Sequence, residues 1–233
     1  LALNPKEKPF DDIEVRKAIN LAIDKNKIIQ LAMNGKGTPI YTNMSPVMSK
    51  FLWAAPEEKA DPQKAKQILE EKKLLPIKFT LKVPNSSKIY LDTAQSIKEQ
   101  LKEVGITVDL EIIEWATWLS DVYTNRKYEA SLAGLAGKME PDAILRRYTS
   151  TYAKNFTNFN NARYDALIEE AKRTSNEAKQ VENYKEAQKI LAEEQAAIFL
   201  MDPNTIIATE KGLEGFEFYP LPYFNFAKLY FKK

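Results

Sequence analysis

Apolar residues recur at helical spacing near the start of the chain. Asp12 stands just before an apolar stripe that begins at Val15, and Asp24 stands before a second such stripe. A carboxylate in that position is typical of a helix N-cap, so two short helices in tandem are predicted. Asp61-Pro62 predicts the start of a third helix, because proline is favoured at the first helical position.

The middle of the chain changes from helical spacing to alternation. Apolar and polar residues alternate over 77–83 and again over 106–112, with a helical pattern over 91–104 between them. This order predicts a β-α-β unit with parallel strands and a right-handed crossover. A helical stretch over 115–122 follows, and 128–135 is predicted to be a third strand.

The last third of the chain is predicted to be mostly helical. Its expected elements are helices over 141–148, 162–173 and 177–194, and strands over 197–201 and 205–209. The tail over 212–231 is dense in aromatic residues and proline, which is typical of a segment packed on another surface. Residues 35–60 have no periodicity and predict a long loop that carries aromatic residues, a kind of loop that is often functional.

Composition narrows the function classes. The chain has 233 residues, of which 44% are hydrophobic, with 34 Lys and Arg against 32 Asp and Glu, and it has no cysteine or histidine. Interspersed charges argue against a nucleic-acid partner. The missing residue types exclude thiol catalysis, histidine-based triads and the usual zinc sites, so neither a metal nor a cofactor is expected. The chain begins without Met and has no leader pattern, so a trimmed piece of a longer protein is expected.

Two carboxylate pairs are candidates for an enzyme, a carboxylate-dependent hydrolase. Glu111 and Glu114 lie three apart along a strand and would point to opposite faces, so they are not expected to converge. Glu140 and Asp142 stand at a predicted helix start, where capping of free N–H groups is the favoured interpretation. The chain is therefore interpreted as a non-catalytic binding domain.

A ligand wall is predicted where strands end. Trp115 directly follows the second strand, at the sheet edge where clefts form in α/β proteins. Gly134 to Asp142 closes the third strand and begins a helix, and its small residues allow a ligand to approach the backbone. Lys138 adds a positive charge there, and Arg146 and Arg147, one turn later, are candidates to clamp a carboxylate.

A series of short motifs resembles one known family, the peptide- and nickel-binding family of bacterial solute-binding proteins, which are extracytoplasmic receptors of ABC importers. The motifs cover nearly the whole chain in order: Leu3-Asn4, Pro9-Phe10-Asp11-Asp12, Val15-Arg16, Ala22-Ile23-Asp24, Gly37-Thr38-Pro39, Asp61-Pro62, Val104-Gly105-Ile106, Glu114-Trp115 and Tyr164-Asp165. The resemblance implies an α/β fold of the periplasmic-binding-protein type, with a mostly parallel sheet flanked by helices. Family members are about twice as long and have two lobes, so residues 1–233 are expected to form the C-terminal lobe alone. Segments 1–10 and 203–233 are expected to lead towards the missing N-terminal lobe.

The resemblance also implies partners and site residues. It implies a small solute, a membrane permease and an extracytoplasmic location. In peptide-binding members the stretch matching 134–141 holds a Trp and an Asp that grips the peptide amine, whereas this chain has Leu135 at the Trp position. Gly137 or Lys138 stands at the Asp position, and Met139 does not supply the aromatic residue of nickel-chelate binders. The predicted ligand residues are therefore Trp115, Leu135, Gly137, Lys138, Met139 and Arg146.

The ligand class stays open at this point. A peptide or a related small solute is the first expectation, and a metal chelate, an opine or an oligosaccharide is the alternative within the family. From other classes, a carboxylate-dependent hydrolase is carried by Glu140 and Asp142. A protein-interaction module is carried by the aromatic tail over 219–231.

Overall fold

A computed structural model describes residues 1–219 and 224–232. Most of its helices begin at a side-chain cap, including the three helices for which the sequence predicts one at Asp12, Asp24 and Asp61. The helices are α1 (Ile13–Ala22), α2 (Lys25–Met33), α3 (Pro62–Glu71), α4 (Lys88–Glu103), α5 (Trp115–Thr117), α6 (Pro141–Leu145), α7 (Ala162–Arg173) and α8 (Glu177–Glu193). The strands are β1 (Ala2–Leu3), β2 (Gly37–Pro39), β3 (Ile77–Pro84), β4 (Ile106–Ile113), β5 (Ala130–Ser131), β6 (Met201–Pro203), β7 (Leu213–Glu214) and β8 (Tyr230–Phe231).

The main sheet has four strands in the order β1-β5-β3-β4. β3 pairs in parallel with β4 on one side and with β5 on the other, which confirms the predicted β-α-β unit and parallel centre. β1 pairs antiparallel with β5, so the sheet is mixed at that edge. The α/β class is therefore confirmed, with one antiparallel edge strand added to the parallel core.

Three of the expected strands are wrong in extent or position. The third strand, expected over 128–135, pairs only at Ala130–Ser131. The segment 197–201 is buried in the core without forming a ladder until Met201, where β6 pairs with β2. Residues 205–209 form no strand, because they are largely exposed and have no neighbouring strand to pair with. Alternation of apolar residues marks burial, and here burial occurs without strand pairing.

The core lies on one side of the sheet. Fully buried side chains of β3 and β4 pack against α1, α2 and α4, and Phe79 meets Phe10 edge to face with ring centroids 4.9 Å apart. A second cluster joins α7 and α8 to Leu145 and Tyr148. A third, aromatic cluster around Trp118 packs against Ala2 next to the sheet.

The long loop between α2 and α3 is packed against the protein. Lys25 donates from its ammonium to the carbonyl of Ile40 at 3.1 Å and lies 4.0 Å from the ring centroid of Tyr41. Burial lowers the pKa of Lys25 to about 8. Gln188 of α8 holds the other half of the loop, because it donates to the carbonyl of Phe51 and accepts from the N–H of Trp53. The ring of Tyr41 and the backbone of Phe51 and Trp53 therefore help to hold this loop against the protein.

Two two-residue strands pair within the tail. β7 and β8 pair antiparallel, and Phe216, Phe218, Phe224 and Phe226 form a chain of ring contacts beside them. Residues 220–223 and 233 of the expected tail lie outside the described residues. Several rings of this tail are exposed, including Phe218 and Phe226.

Candidate functional site

Three strands end at one edge of the main sheet. β3, β4 and β5 are parallel, so the residues that follow them emerge side by side. Asn85 follows β3 and donates from Nδ2 to Oε1 of Glu114, which follows β4, at 2.6 Å. Ligand clefts of open α/β sheets form outside this carboxyl edge. The candidate site is therefore built from the segments after β4 and β5.

Two tryptophans stack at this edge. The rings of Trp115 and Trp118 are 4.9 Å apart and 6° from parallel. Trp118 is buried and donates from Nε1 to Oγ of Ser131 in β5 at 2.9 Å, whereas Trp115 is 39% exposed. Trp118 therefore acts as a core residue on which Trp115 stacks, and Trp115 is left partly exposed at the edge.

The chain after β5 continues as segment 132–140, which forms no helix or strand and bends at 139 and 140. Its first residue, Leu132, still donates its backbone N–H to the carbonyl of Lys82 in β3 at 3.2 Å. Beyond Leu132 the segment is held at two points. Tyr90 of α4 accepts the backbone N–H of Gly134 at 3.2 Å, and Arg147 donates from Nη2 to the carbonyl of Ala136 at 3.0 Å. A Cβ at Gly134 would lie 2.9 Å from the Tyr90 hydroxyl, so this close approach requires glycine.

The backbone N–H groups that follow Gly134 are free in the part of the chain that the structure describes. Within the described residues, no backbone N–H from Leu135 to Met139 donates a hydrogen bond. Backbone with unpaired N–H groups can hydrogen-bond to an extended peptide chain, as in strand addition at a sheet edge. This segment therefore offers main-chain hydrogen bonds to a ligand.

Four of the predicted ligand residues lie on this segment. Leu135 is 42% exposed and Met139 is 63% exposed, so their side chains offer apolar surface. A Cβ at Gly137 would meet nothing within 4 Å, and Lys138 forms no ion pair within the described part of the chain. The segment therefore combines open backbone, two apolar side chains and one positive charge.

The two arginines that follow α6 have different neighbours. Nη1 of Arg146 lies 3.7 Å from Oδ2 of Asp142, and its guanidinium lies 6.0 Å from the ring of Tyr152. Arg147 instead reaches back to Ala136. The structure thus brings Arg147 to the segment through a direct hydrogen bond, which it does not do for the predicted residue Arg146.

Tyr90 and Glu129 were missed from the sequence. Tyr90 lies in the first turn of α4, and Glu129 accepts the backbone N–H of Thr80 on Oε2 at 2.8 Å, just where β5 has not yet begun to pair with β3. No local pattern marks either residue, because each acts on a segment far away in the sequence. Arg147 was noticed as a possible clamp, but its target is backbone and not a ligand carboxylate.

The carboxylates at the start of α6 do not cap it as expected. Glu140 occupies the N-cap position, yet its side chain accepts no capping hydrogen bond. Asp142 has one oxygen, Oδ1, that is buried without a hydrogen-bond partner in the described residues. The two carboxylates, together with burial, raise the pKa of Tyr184 in α8 to about 12, with burial the larger cause. They therefore lie towards α8.

Other features of the described residues bear on the kind of site. They hold no group of three or more Asp and Glu side chains arranged to bind a metal ion. No helix among them has the length and apolar character that a membrane span requires. What the candidate site offers is hydrogen bonding and apolar contact.

Comparison with known proteins gives one family. A model of the middle part of the bacterial extracellular solute-binding proteins, family 5, matches residues 1–156 of this chain. The oligopeptide-binding protein AppA of Bacillus subtilis is 29% identical over 93% of this chain and 43% of its own length. The structure of AppA in complex with a nonapeptide superposes with a TM-score of 0.83 and 28% identity, over 100% of this chain and 50% of that one.

A third match has a different ligand. The structure of AgaA from A. tumefaciens R10 in complex with agropinic acid has a TM-score of 0.77 and 26% identity, over 92% of this chain and 45% of that one. The chain spans about half the length, or less, of each of these proteins.

Proposed function

This chain belongs to family 5 of the bacterial extracellular solute-binding proteins, and we propose that it forms one ligand-binding lobe of an ABC importer's receptor. The receptor takes up peptides or a related small solute from outside the cytoplasmic membrane and delivers it to a membrane permease. Residues 1–233 form the C-terminal lobe, and segments 1–10 and 203–233 lead to the N-terminal lobe. Proteins similar to it are binding proteins, and we propose a binding role without catalysis here.

One observation carries this proposal: the backbone N–H groups over 135–139 have no hydrogen-bond partner within the described residues. A peptide in extended form can pair its main chain with these amides, since each free N–H faces no competing partner among the described residues. The exposed face of Trp115 and the side chains of Leu135 and Met139 offer apolar contact to ligand side chains. Main-chain pairing combined with apolar surface gives affinity with tolerance of ligand sequence.

The charge of the segment favours a second candidate ligand. The stretch 134–139 holds Lys138 and no carboxylate, so it gives no counter-charge to a ligand ammonium group. An opine is an alternative to a free peptide, because opines carry carboxylates that a lysine can pair with. AgaA, which was solved with agropinic acid, is a relative of comparable similarity.

Calorimetric titration of the whole protein that carries this chain distinguishes these ligands. The probes are trialanine, its N-acetylated form and agropinic acid. We expect the free and acetylated peptides to bind within about threefold of each other, because the stretch 134–139 holds no carboxylate that could pair with the amine. Binding of agropinic acid alone would move the assignment to the opine. Failure of all three, and of a wider thermal-shift screen with oligosaccharides and metal chelates, would contradict the receptor proposal.

A further inference from the structure

A cavity lies at the opposite end of the main sheet from the candidate site. It has a volume of about 230 Å³, and its lining includes Lys6, Arg126, Ser150, Tyr152, Asn158 and Asn160. Lys6 follows β1 and Arg126 precedes β5, and these two strands are antiparallel. Both cations therefore lie at the end where β5 begins, whereas segment 132–140 follows the end where β5 stops.

The charge of this cavity is one-sided. Its lining contains two cationic side chains and no carboxylate. One acidic residue, Asp165, hydrogen-bonds to a residue of the lining. Its Oδ1 accepts the backbone N–H of Ser150 at 2.9 Å, and its Oδ2 accepts the Ser150 hydroxyl. Neither Lys6 nor Arg126 therefore forms an ion pair within the described part of the chain, and no carboxylate lines the cavity.

Arg126 is held in place before any ligand arrives. Its Nε donates to the carbonyl of Asn155 at 3.1 Å and its Nη2 donates to the carbonyl of Ala153 at 2.8 Å. Nη1 makes no hydrogen bond within the described residues, and neither does the ammonium group of Lys6. A guanidinium fixed in this way loses little conformational freedom when it binds an oxyanion.

The wall beside Arg126 is fixed as well. Asn155 is buried and donates from Nδ2 to three carbonyls, those of Tyr148, Thr149 and Phe159. Asn158 donates from Nδ2 to Oδ1 of the buried Asn4 at 2.8 Å. Hydrogen bonds therefore hold two lining residues, Asn155 and Asn158, in addition to Arg126.

We propose that this cavity binds a small oxyanion, a phosphate or carboxylate group, at a site separate from the ligand wall. Arg126 and Lys6 supply the positive charge, and Tyr152 and Asn160 supply polar groups around it. The volume is below the range of about 300 to 1,000 Å³ that holds drug-sized ligands, so the group that binds is small. The proposal is independent of the solute carried in the cleft.

Titration of the whole protein with sodium phosphate, at ionic strength held constant with chloride, tests the site. We expect saturable binding that Lys6→Gln weakens by about tenfold, since a charge-assisted contact is lost. Arg126→Lys should weaken it too, because the planar fork is lost while the charge stays. Lys127→Gln is the matched control, since it removes one charge next to Arg126 but does not line the cavity.

The source of the oxyanion is separated by two further arms. Acetate replaces phosphate in one, and vesicles of phosphatidylglycerol or phosphatidylcholine replace it in the other. Saturation by free phosphate or acetate without vesicle binding supports a free anion, and Lys6-dependent binding to phosphatidylglycerol vesicles alone supports a lipid headgroup. The proposal is overturned if no probe binds up to about 10 mM, or if Lys127→Gln weakens binding as much as Lys6→Gln with both variants folded.

Discussion

The β3–β4 pair and the β5 region of one sheet differ sharply in how their backbones are paired. β3 and β4 lie side by side over their full eight-residue lengths, whereas β5 has two residues in the sheet. Around β5, side chains hydrogen-bond to backbone groups that no neighbouring strand pairs. Glu129 accepts the N–H of Thr80, Tyr90 accepts the N–H of Gly134, and Arg147 donates to the carbonyl of Ala136. Over 135–139 the backbone N–H groups have no hydrogen-bond partner in the part of the chain that the structure describes. We expect the first region to dominate the stability of the chain, and we propose the second as the surface that a ligand contacts.

The largest expected effect comes from the paired region. Phe79 is buried in β3 and packs edge to face on Phe10. Phe79→Ala should lower the free energy of unfolding by about 4 kcal/mol, because it removes a buried ring and leaves a cavity. Urea denaturation checks this. Phe218→Ala is the control, since Phe218 is largely exposed, and an equal loss there would contradict the assignment of stability to β3 and β4.

A smaller effect is expected at β5 itself. Oγ of Ser131 accepts from Nε1 of Trp118 and donates to the carbonyl of Lys82. Ser131→Ala should cost about 2 kcal/mol of unfolding free energy, because it leaves a buried indole N–H without a partner. Denaturation beside Ser120→Ala, an exposed serine, measures the difference. If both alanine variants have the same stability, the Trp118–Ser131 bond does not anchor the stack.

The next effect concerns the carboxylate that replaces strand pairing. Glu129→Ala should lower the free energy of unfolding by about 1 kcal/mol, because the half-buried N–H of Thr80 loses its acceptor. Glu129→Gln keeps an amide oxygen in the same place and should restore most of the loss. A glutamine variant as unstable as the alanine variant would mean that charge, and not the hydrogen bond, matters at Glu129.

The smallest effect on stability should accompany a large effect on binding. Arg147→Met removes the hydrogen bond to Ala136 but keeps an apolar side chain, so we expect a loss of at most about 0.5 kcal/mol in unfolding free energy. Affinity for trialanine should fall by about tenfold, because segment 132–140 is no longer held in one conformation. Arg163→Met, which breaks only an ion pair with Glu186, is the control. Unchanged affinity in Arg147→Met would remove this arginine from the site.

The contrast between these regions also explains what the sequence could predict. Alternation over 77–83 and 106–112 marks two strands correctly, because both are buried on one face and fully paired. The same pattern over 128–135 predicts a strand that is present only at Ala130–Ser131. Apolar alternation reports burial, and it cannot report whether a neighbouring strand continues to pair.

Site residues divide in the same way. Trp115 and the stretch from Leu135 to Met139 could be chosen from the sequence, because they follow strands and contain small residues. Tyr90 and Arg147 hold that stretch from other elements, and their partners are backbone groups with no sequence signature. Long-range contacts to backbone are therefore the part of the site that sequence patterns do not reveal.

Hydrogen exchange at the amides over 135–139 tests the central claim most directly. The whole protein is measured alone and with saturating trialanine, with the amides of β3 and β4 as internal references. We predict that protection over 135–139 rises on binding while that of the β3–β4 pair stays unchanged, because only the open amides gain partners. If the peptide saturates the protein and exchange over 135–139 does not slow, these residues do not bind the peptide through their backbone.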